Sequence, residues 1–356
     1  MSRPLTIIGG GLSGLALGCY MQKHGVPVTI MEQGKYPRHK VCGEFICGVN
    51  HKTLSLLGIE HCFNKAKTIS NIKWHIGDRQ VLYKNLPLTG TGISRYLLDD
   101  LLQQHFISLG GTIKHKRINK SIKPTQDTVW ASGKEKSSKS NDFRRWLGLK
   151  FHITDMEIEG LEMHTGIGNH QGGYLGMSPI EDNKVNICGL FEVTKDIKGK
   201  GAETLLLYLH SLGLKTLANR IENATTLTNS FSAVAGFSMG HQTVLKQNNP
   251  SIFPIGDAAI LIPPFTGNGM SMALESALLA GENLLPYLEH QETSNYLWNE
   301  LVNTYLLQMQ KKFRRRMIIS RCMHPFFFHP IGKSILSGAS RTQLIPFKSL
   351  FYLLRS

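Results

Sequence analysis

The 356-residue sequence predicts an α/β architecture. A helix-flanked parallel sheet alternates along the chain with an antiparallel sheet, and a helical tail follows. Three observations predict it. The first 32 residues read as strand, glycine turn, helix and strand, a βαβ opening. A second apolar strand, Ser251 to Ile255, runs through Gly-Asp into a helix rich in small residues. Strand-like polar stretches fill two intervening blocks, separated by an amphipathic helix.

The first element is "LTIIGGGLSGLALGCYMQKHG", with Gly9, Gly11 and Gly14 in G-x-G-x-x-G spacing and a helix ending near Gly25. "VPVTIME" is the next strand, and it ends at Glu32. This is the Rossmann-type dinucleotide fingerprint. Gly9 permits the tight turn, Gly11 lets a pyrophosphate approach the backbone, and Gly14 and Gly18 let the helix pack on the strands. The helix N-terminus favours phosphate, and Glu32 can accept hydrogen bonds from ribose hydroxyls. The motif alone does not separate FAD from NAD(P).

The second element is "GDAAILIPPFTGNGMSMALESALLAG" (256–281). Met270, Ala273, Leu274, Ala277, Leu278 and Gly281 share one helical face. Pro263 and Pro264 stiffen the approach, and Gly267 and Gly269 keep the entrance bare for a flat ring. This stretch resembles the second FAD signature of a flavoprotein group that contains aromatic hydroxylases, flavin halogenases, squalene epoxidase-like enzymes and geranylgeranyl reductases. The resemblance implies that Gly256-Asp257 binds the ribityl chain, with Gly267, Asn268, Gly269 and Met270 beside the flavin N1–C2=O edge. "YPRHKVCGEF" (36–45) is similar to the cofactor-side Cys-Gly stretch of the geranylgeranyl reductase-like branch, which implies contacts from Arg38, Cys42 and Gly43. Arg95, opening the helix with Leu98, Leu101, Leu102, Phe106 and Leu109, matches an Arg that contacts FAD. Gly133 closes the Ala-x-Gly of "DTVWASGKEKS" (127–137). The likeness runs in order from residue 1 to about 285.

The family's aromatic hydroxylases carry Asp-Gly where this chain has Ser132-Gly133, which counts against direct NADPH use as electron donor. Halogenation is set aside because Trp74, Trp130, Trp146 and Trp298 form no Trp-x-Trp motif. "GGYLGMSPIEDNKVNICGLF" (172–191) looks like the reductase branch, where Tyr174 would line the substrate cavity. The implied function is hydride transfer at the flavin to or from a lipophilic substrate such as a polyprenyl, lipid or polyketide chain. The alternatives are a monooxygenase on the same fold and a membrane-associated FAD-binding protein without turnover. No catalytic acid or base is nominated: Glu44 reads equally as surface or flavin-side, and no histidine stands out.

The expected layout is an FAD domain from 1–64, 92–149 and 250–290, a substrate sheet from 65–91 and 150–249, and a basic helical region from 291–356. Composition is that of a globular chain with no apolar run near the roughly 18 residues of a spanning helix. The six cysteines have no zinc spacing, so no metal is expected, and with no targeting segment evident a reducing cytoplasmic setting is. Net charge is +15, and residues 301–356 hold ten Lys/Arg and no Asp or Glu. Lys311, Lys312, Arg314, Arg315 and Arg316 stand before apolar groups at Met317 to Ile319, Phe326 to Phe328 and Leu350 to Leu354. That pattern suggests either peripheral docking on an anionic inner-membrane face or a helical cap with a solvated basic side. A nucleic-acid partner is not expected, since the cluster sits in no recognised binding fold.

Overall fold

The computed structural model describes residues 2–117, 125–133, 146–166, 172–194, 196–237, 251–261, 264–290, 295–341 and 346–355. The strands are β1 (Leu5–Ile8), β2 (Val28–Glu32), β3 (Phe45–Ile46), β4 (Lys67–Ile76), β5 (Arg79–Gly92), β6 (Thr112–His115), β7 (Thr128–Trp130), β8 (Trp146–Thr154), β9 (Leu161–Thr165), β10 (Gly173–Pro179), β11 (Val185–Glu192), β12 (Thr225–Phe237) and β13 (Phe253–Pro254). The helices are α1 (Leu12–Lys23), α2 (His51–Leu57), α3 (Arg95–Ser108), α4 (Ala202–Ser211), α5 (Lys215–Glu222), α6 (Gly269–Glu289), α7 (Asn295–Phe328), α8 (Pro330–Arg341) and α9 (Phe347–Leu353).

Five strands form a parallel sheet in the order β13-β7-β1-β2-β6. The chain leaves β1 through α1 to β2 on one side, while β7 pairs on the other. That reversal puts a crevice beyond the carboxyl ends of β1 and β7, where such sheets bind ligands. α1 is buried on nearly all sides because α3 and α6 pack around it, and its apolar, small-residue sequence allows this. A Cβ on Gly18 would crowd the Phe106 ring at 2.9 Å, so the glycine sets how closely α3 approaches.

The second sheet has eight strands, β12-β8-β11-β10-β9-β4-β5-β3. It is mixed, not wholly antiparallel as the sequence suggested, because β4 runs parallel to β9. The expected boundary at 149/150 falls inside β8, and β3 joins this sheet from the first segment. Strand period two divides its residues. Leu149, Phe151, Ile153, Leu175, Met177, Ile187 and Phe191 form a core under α4 and α5. The alternate residues face the parallel-sheet domain.

The tail is three helices folded back onto the molecule. α7 packs on α6, α8 on α7, and α9 on β5. Met317, Phe328 and Phe351 are buried, and Arg316 is 4% exposed, bound to Glu275 at 2.8 Å. Lys311, Lys312, Arg314 and Arg315 remain exposed. Of the apolar groups in the expected docking signature, Met317, Phe328 and Phe351 are core, while Ile318, Tyr352 and Leu353 stay exposed. No described helix is long and apolar enough to cross a membrane.

Candidate active site

The glycine turn after β1 is built as the spacing requires. Gly9 has φ +109°, and a Cβ there would overlap the Ala131 carbonyl at the end of β7. A Cβ on Gly14 would overlap the Gly9 carbonyl. At Gly11, the N-cap of α1, an added Cβ meets no protein atom within 4 Å. The same holds at Gly43, Gly133 and Gly269. These four glycines come from four separate segments and leave backbone bare where the sequence placed a cofactor.

Glu32 is buried at the end of β2. Its Oε2 accepts from the Gly10 N–H at 2.8 Å, and its Oε1 from the Gly34 N–H at 2.8 Å and Arg38 at 2.9 Å. It thus ties the glycine turn to the following loop, where the Tyr36 hydroxyl donates to the Gly10 carbonyl. Arg38 belongs to this cluster through Glu32. Arg95 grips Asp99 through Nε at 2.7 Å and Nη2 at 2.8 Å, and Lys40 reaches the same carboxylate at 2.7 Å. Burial works against the Asp99 charge, but the two cations outweigh it and hold the carboxyl below its ordinary value.

The Cys42-Gly43 loop is clamped to the second sheet. Asn186 donates to the Cys42 carbonyl at 3.0 Å and Ser178 to the Gly43 carbonyl at 2.8 Å. Cys42 Sγ lies 3.4 Å from Met270 Sδ. Burial pushes the Cys42 thiol up, so it packs as a neutral group.

Opposite the loop stands the entrance to α6. Gly256 and Gly267 have φ +59° and +64°, and Asp257 is exposed. Asn268 is 0% exposed, yet both its side-chain oxygen and nitrogen lack a hydrogen-bond partner. Buried amides are nearly always satisfied, so this unpartnered side chain sets Asn268 apart. Pro263 lies outside the described residues.

The sheet face toward this region carries Lys150 and His152 on β8, Asn186, Cys188 and Leu190 on β11, and Tyr174, Gly176 and Ser178 on β10. The register aligns them: Lys150↔Cys188, His152↔Asn186, Gly176↔Cys188 and Tyr174↔Leu190. Between that face, the Cys42–Phe45 loop, the α6 entrance and the tail lies a cavity of about 800 Å³. Trp74, Leu82, Met163, Tyr174, Leu190 and Phe265 give it apolar walls, and Met323, Phe326, Leu336 and Phe347 roof it. The Tyr174 ring meets Phe265 and Phe328 edge-on, and burial keeps its phenol neutral, well above its ordinary value.

Several residues here were given no role from the sequence, Glu44 among them. Glu44 is 0% exposed with φ +52°. Its Oε1 lies 3.2 Å from Lys150 Nζ and accepts the Arg95 N–H at 2.9 Å, and its Oε2 lies 2.6 Å from His152 Nε2. His39 Nδ1 is 3.2 Å from Lys150 Nζ. Burial and the Lys150 charge lower the His39 imidazole to about 4, so it is neutral and can accept from Lys150. Glu44 is thus neither a surface residue nor a free acid. It is bound into a charged knot behind the Cys42-Gly43 loop. The available signal was the alternation in "WLGLKFHIT", which puts Lys150 and His152 on one face of a buried strand. Among the described residues no cluster of ligands suits a metal ion.

These features define a dinucleotide-binding Rossmann domain joined to a sheet that encloses an apolar cavity. Comparison gives the class more closely. Residues 7–40 match the family of NAD(P)-binding Rossmann-like domains. No curated protein matches the chain in sequence. The flavin-dependent brominase Bmp2 superposes with a TM-score of 0.75 at 16% identity, covering 99% of this chain and 94% of its own. A flavoprotein/dehydrogenase from Cytophaga hutchinsonii gives 0.68 at 16%, covering 97% and 95%. PqsL, a probable FAD-dependent monooxygenase from Pseudomonas aeruginosa, gives 0.65 at 12%, covering 98% and 100%. The likeness is one of fold, shared with these flavin-dependent proteins.

Proposed function

We propose that this chain is an FAD-dependent oxidoreductase of the monooxygenase type, acting on a lipophilic substrate held in the cavity. The observation that carries it is the cavity in which Cys42 and Gly43 meet Asp257, Gly267, Gly269 and Met270. Gly11, Gly133 and Gly269 extend the same cradle along the crevice. The likeness in fold to a probable FAD-dependent monooxygenase favours oxygenation over the hydride transfer that the Cys-Gly stretch first suggested.

In this reading the Gly9–Gly14 turn and the α1 N-terminus receive the pyrophosphate. Glu32 keeps lone pairs for a ribose hydroxyl, Gly256-Asp257 meets the ribityl chain, and Arg38 and Arg95 support the loops through Glu32 and Asp99. Gly267, Asn268, Gly269 and Met270 face the ring edge, where the α6 dipole favours negative charge. Cys42 and Gly43 face the ring from the other side. FAD, when bound, supplies two-electron chemistry and, once reduced, reactivity toward dioxygen. The apolar walls orient substrate and exclude water, with the Tyr174 hydroxyl as a polar contact. The exposed Lys311, Lys312, Arg314 and Arg315, with Ile331 and Ile335 exposed on α8, suit delivery of such a substrate from an anionic membrane face.

The test is a spectrum of the purified protein, then anaerobic NADPH, then oxygen uptake with candidate lipophilic substrates, with and without bromide. Bound flavin and substrate-dependent oxygen consumption support the proposal. Substrate reduction or oxidation without oxygen uptake restores hydride transfer. Bromination would overturn the exclusion drawn from the missing Trp-x-Trp motif. Rapid bleaching identifies NADPH as donor despite Ser132-Gly133.

A further inference from the structure

Four charged residues line the cavity: Glu44, Asp257, Arg321 and Arg355. Glu44 is already bound by Lys150 and His152. Asp257 is exposed at the crevice. The two arginines differ from both. Arg355 lies beside the α6 entrance, where its two terminal nitrogens reach the Thr266 carbonyl at 3.3 Å. A Cβ on Gly267 would lie 3.9 Å from its Nη2. Its Nε is buried without a hydrogen-bond partner. Among the described residues, no carboxylate pairs with Arg355 or Arg321.

The composition of the roof explains why. Residues 301–356 contain no Asp or Glu, and Glu300 in the second turn of α7 is the one acid of the three tail helices, so most of their cations have no partner among themselves. Glu275 reaches up from α6, but it is taken by Arg316 at 2.8 Å and Lys312 at 3.6 Å. Burial pulls the Arg355 guanidinium below its ordinary value. Cys47 and Glu275 offset this only in part. A desolvated cation with no carboxylate in contact is costly, and a low-dielectric wall strengthens its pull on any anion that enters.

We propose that the ligand of this cavity is an amphipathic anion, with an elongated apolar body and one terminal carboxylate or similar oxyanion received by Arg355, and that Arg321, the other cation lining the cavity, adds to its attraction. The assignment rests on the reading of the cavity as the substrate site. The planar guanidinium suits two-point contact with an oxyanion, while the remaining walls offer mostly carbon.

The test titrates the full-length, flavin-loaded protein with dodecanoate, dodecanol and dodecyltrimethylammonium below their aggregation limits. Calorimetry and Trp74 fluorescence report binding. Dodecanoate is expected to bind roughly 10- to 100-fold tighter than dodecanol, the range for hydrogen bonds to charged groups. Arg355→Gln and Arg321→Gln each reduce that preference, and the double variant abolishes it. Equal affinity for acid and alcohol in the parent overturns the proposal, as does a preference that survives in the double variant. If Arg355→Gln releases flavin and leaves the preference intact, Arg355 serves the cofactor and the proposal fails. Binding to phosphatidylglycerol vesicles without binding of monomeric dodecanoate moves the anion to a membrane and also overturns it. A protein that binds no flavin refutes the proposed function, while calorimetry still reads the carboxylate preference by itself.

Discussion

Replacing Glu44 by glutamine is expected to cost more stability than replacing Lys150 by methionine, although each change breaks the same pair. Glu44 accepts from Lys150, His152 and the Arg95 N–H, all in a site with no solvent exposure. Glutamine puts an NH2 where one of those donors already points. Lys150, also fully buried, then has no counter-charge, with only a neutral amide oxygen and His39 at 3.2 Å to accept from it. Removing one partner of a buried pair costs about 3–5 kcal/mol, because the remaining charge is uncompensated. Methionine at 150 instead fills the lysine stem, and Glu44 keeps His152 and the Arg95 N–H. The loss there is closer to one unsatisfied charge-assisted bond, about 1–3 kcal/mol. In the double variant the stranded ammonium is gone, so the combined cost falls below the sum by at least about 1 kcal/mol. Urea unfolding at pH 7.5, with the slope unchanged among variants, measures all three values. Lys150→Met as costly as Glu44→Gln would refute this account of the knot. So would additivity within about 0.5 kcal/mol.

Three further outcomes are expected. Gly11→Glu and Asp257→Ala should each yield protein with little bound flavin, read from absorbance after purification. Stoichiometric flavin in both removes the two-motif reading. The imidazoles of His39 and His75 are held down to about 4, in both cases by burial first. Lys150, His152 and Lys184 add to this at His39 and His164, Arg220 and Lys73 at His75, while Glu44 and Glu162 act against it. The unfolded chain therefore binds more protons between pH 6.5 and 4, and stability should fall as pH drops through that window. His39→Gln and His75→Gln should flatten the decline in urea midpoint, and an unchanged slope in the double variant would contradict it. Arg316 joins the tail to Glu275 and donates to the Arg355 carbonyl. Arg316→Met should make residues after 328 protease-sensitive and lower stability by about 3 kcal/mol. Cleavage at the parental rate would show that the roof is held by its apolar contacts alone.

The chain sequence determined the parts that depend on neighbours along the backbone. A turn at φ +109° after β1, or +64° before α6, requires glycine locally, so G-x-G-x-x-G and the Gly267/Gly269 entrance could be read with their strands and helices. The apolar face of α6 could be read too, because its period is local. What only the tertiary structure decided lies in contacts across the chain. Glu44 meets His152 across 108 residues, and no spacing rule relates them. The tail's basic-plus-apolar text fits a membrane surface or a core equally well, since pattern shows that a face is apolar but not what covers it. Folding turned Met317, Phe328 and Phe351 inward and left Ile318, Tyr352 and Leu353 exposed. The same step set Arg316 on Glu275 and left Arg355 at the cavity without a carboxylate, because the pairing of charges depends on which surfaces the packed helices bring together.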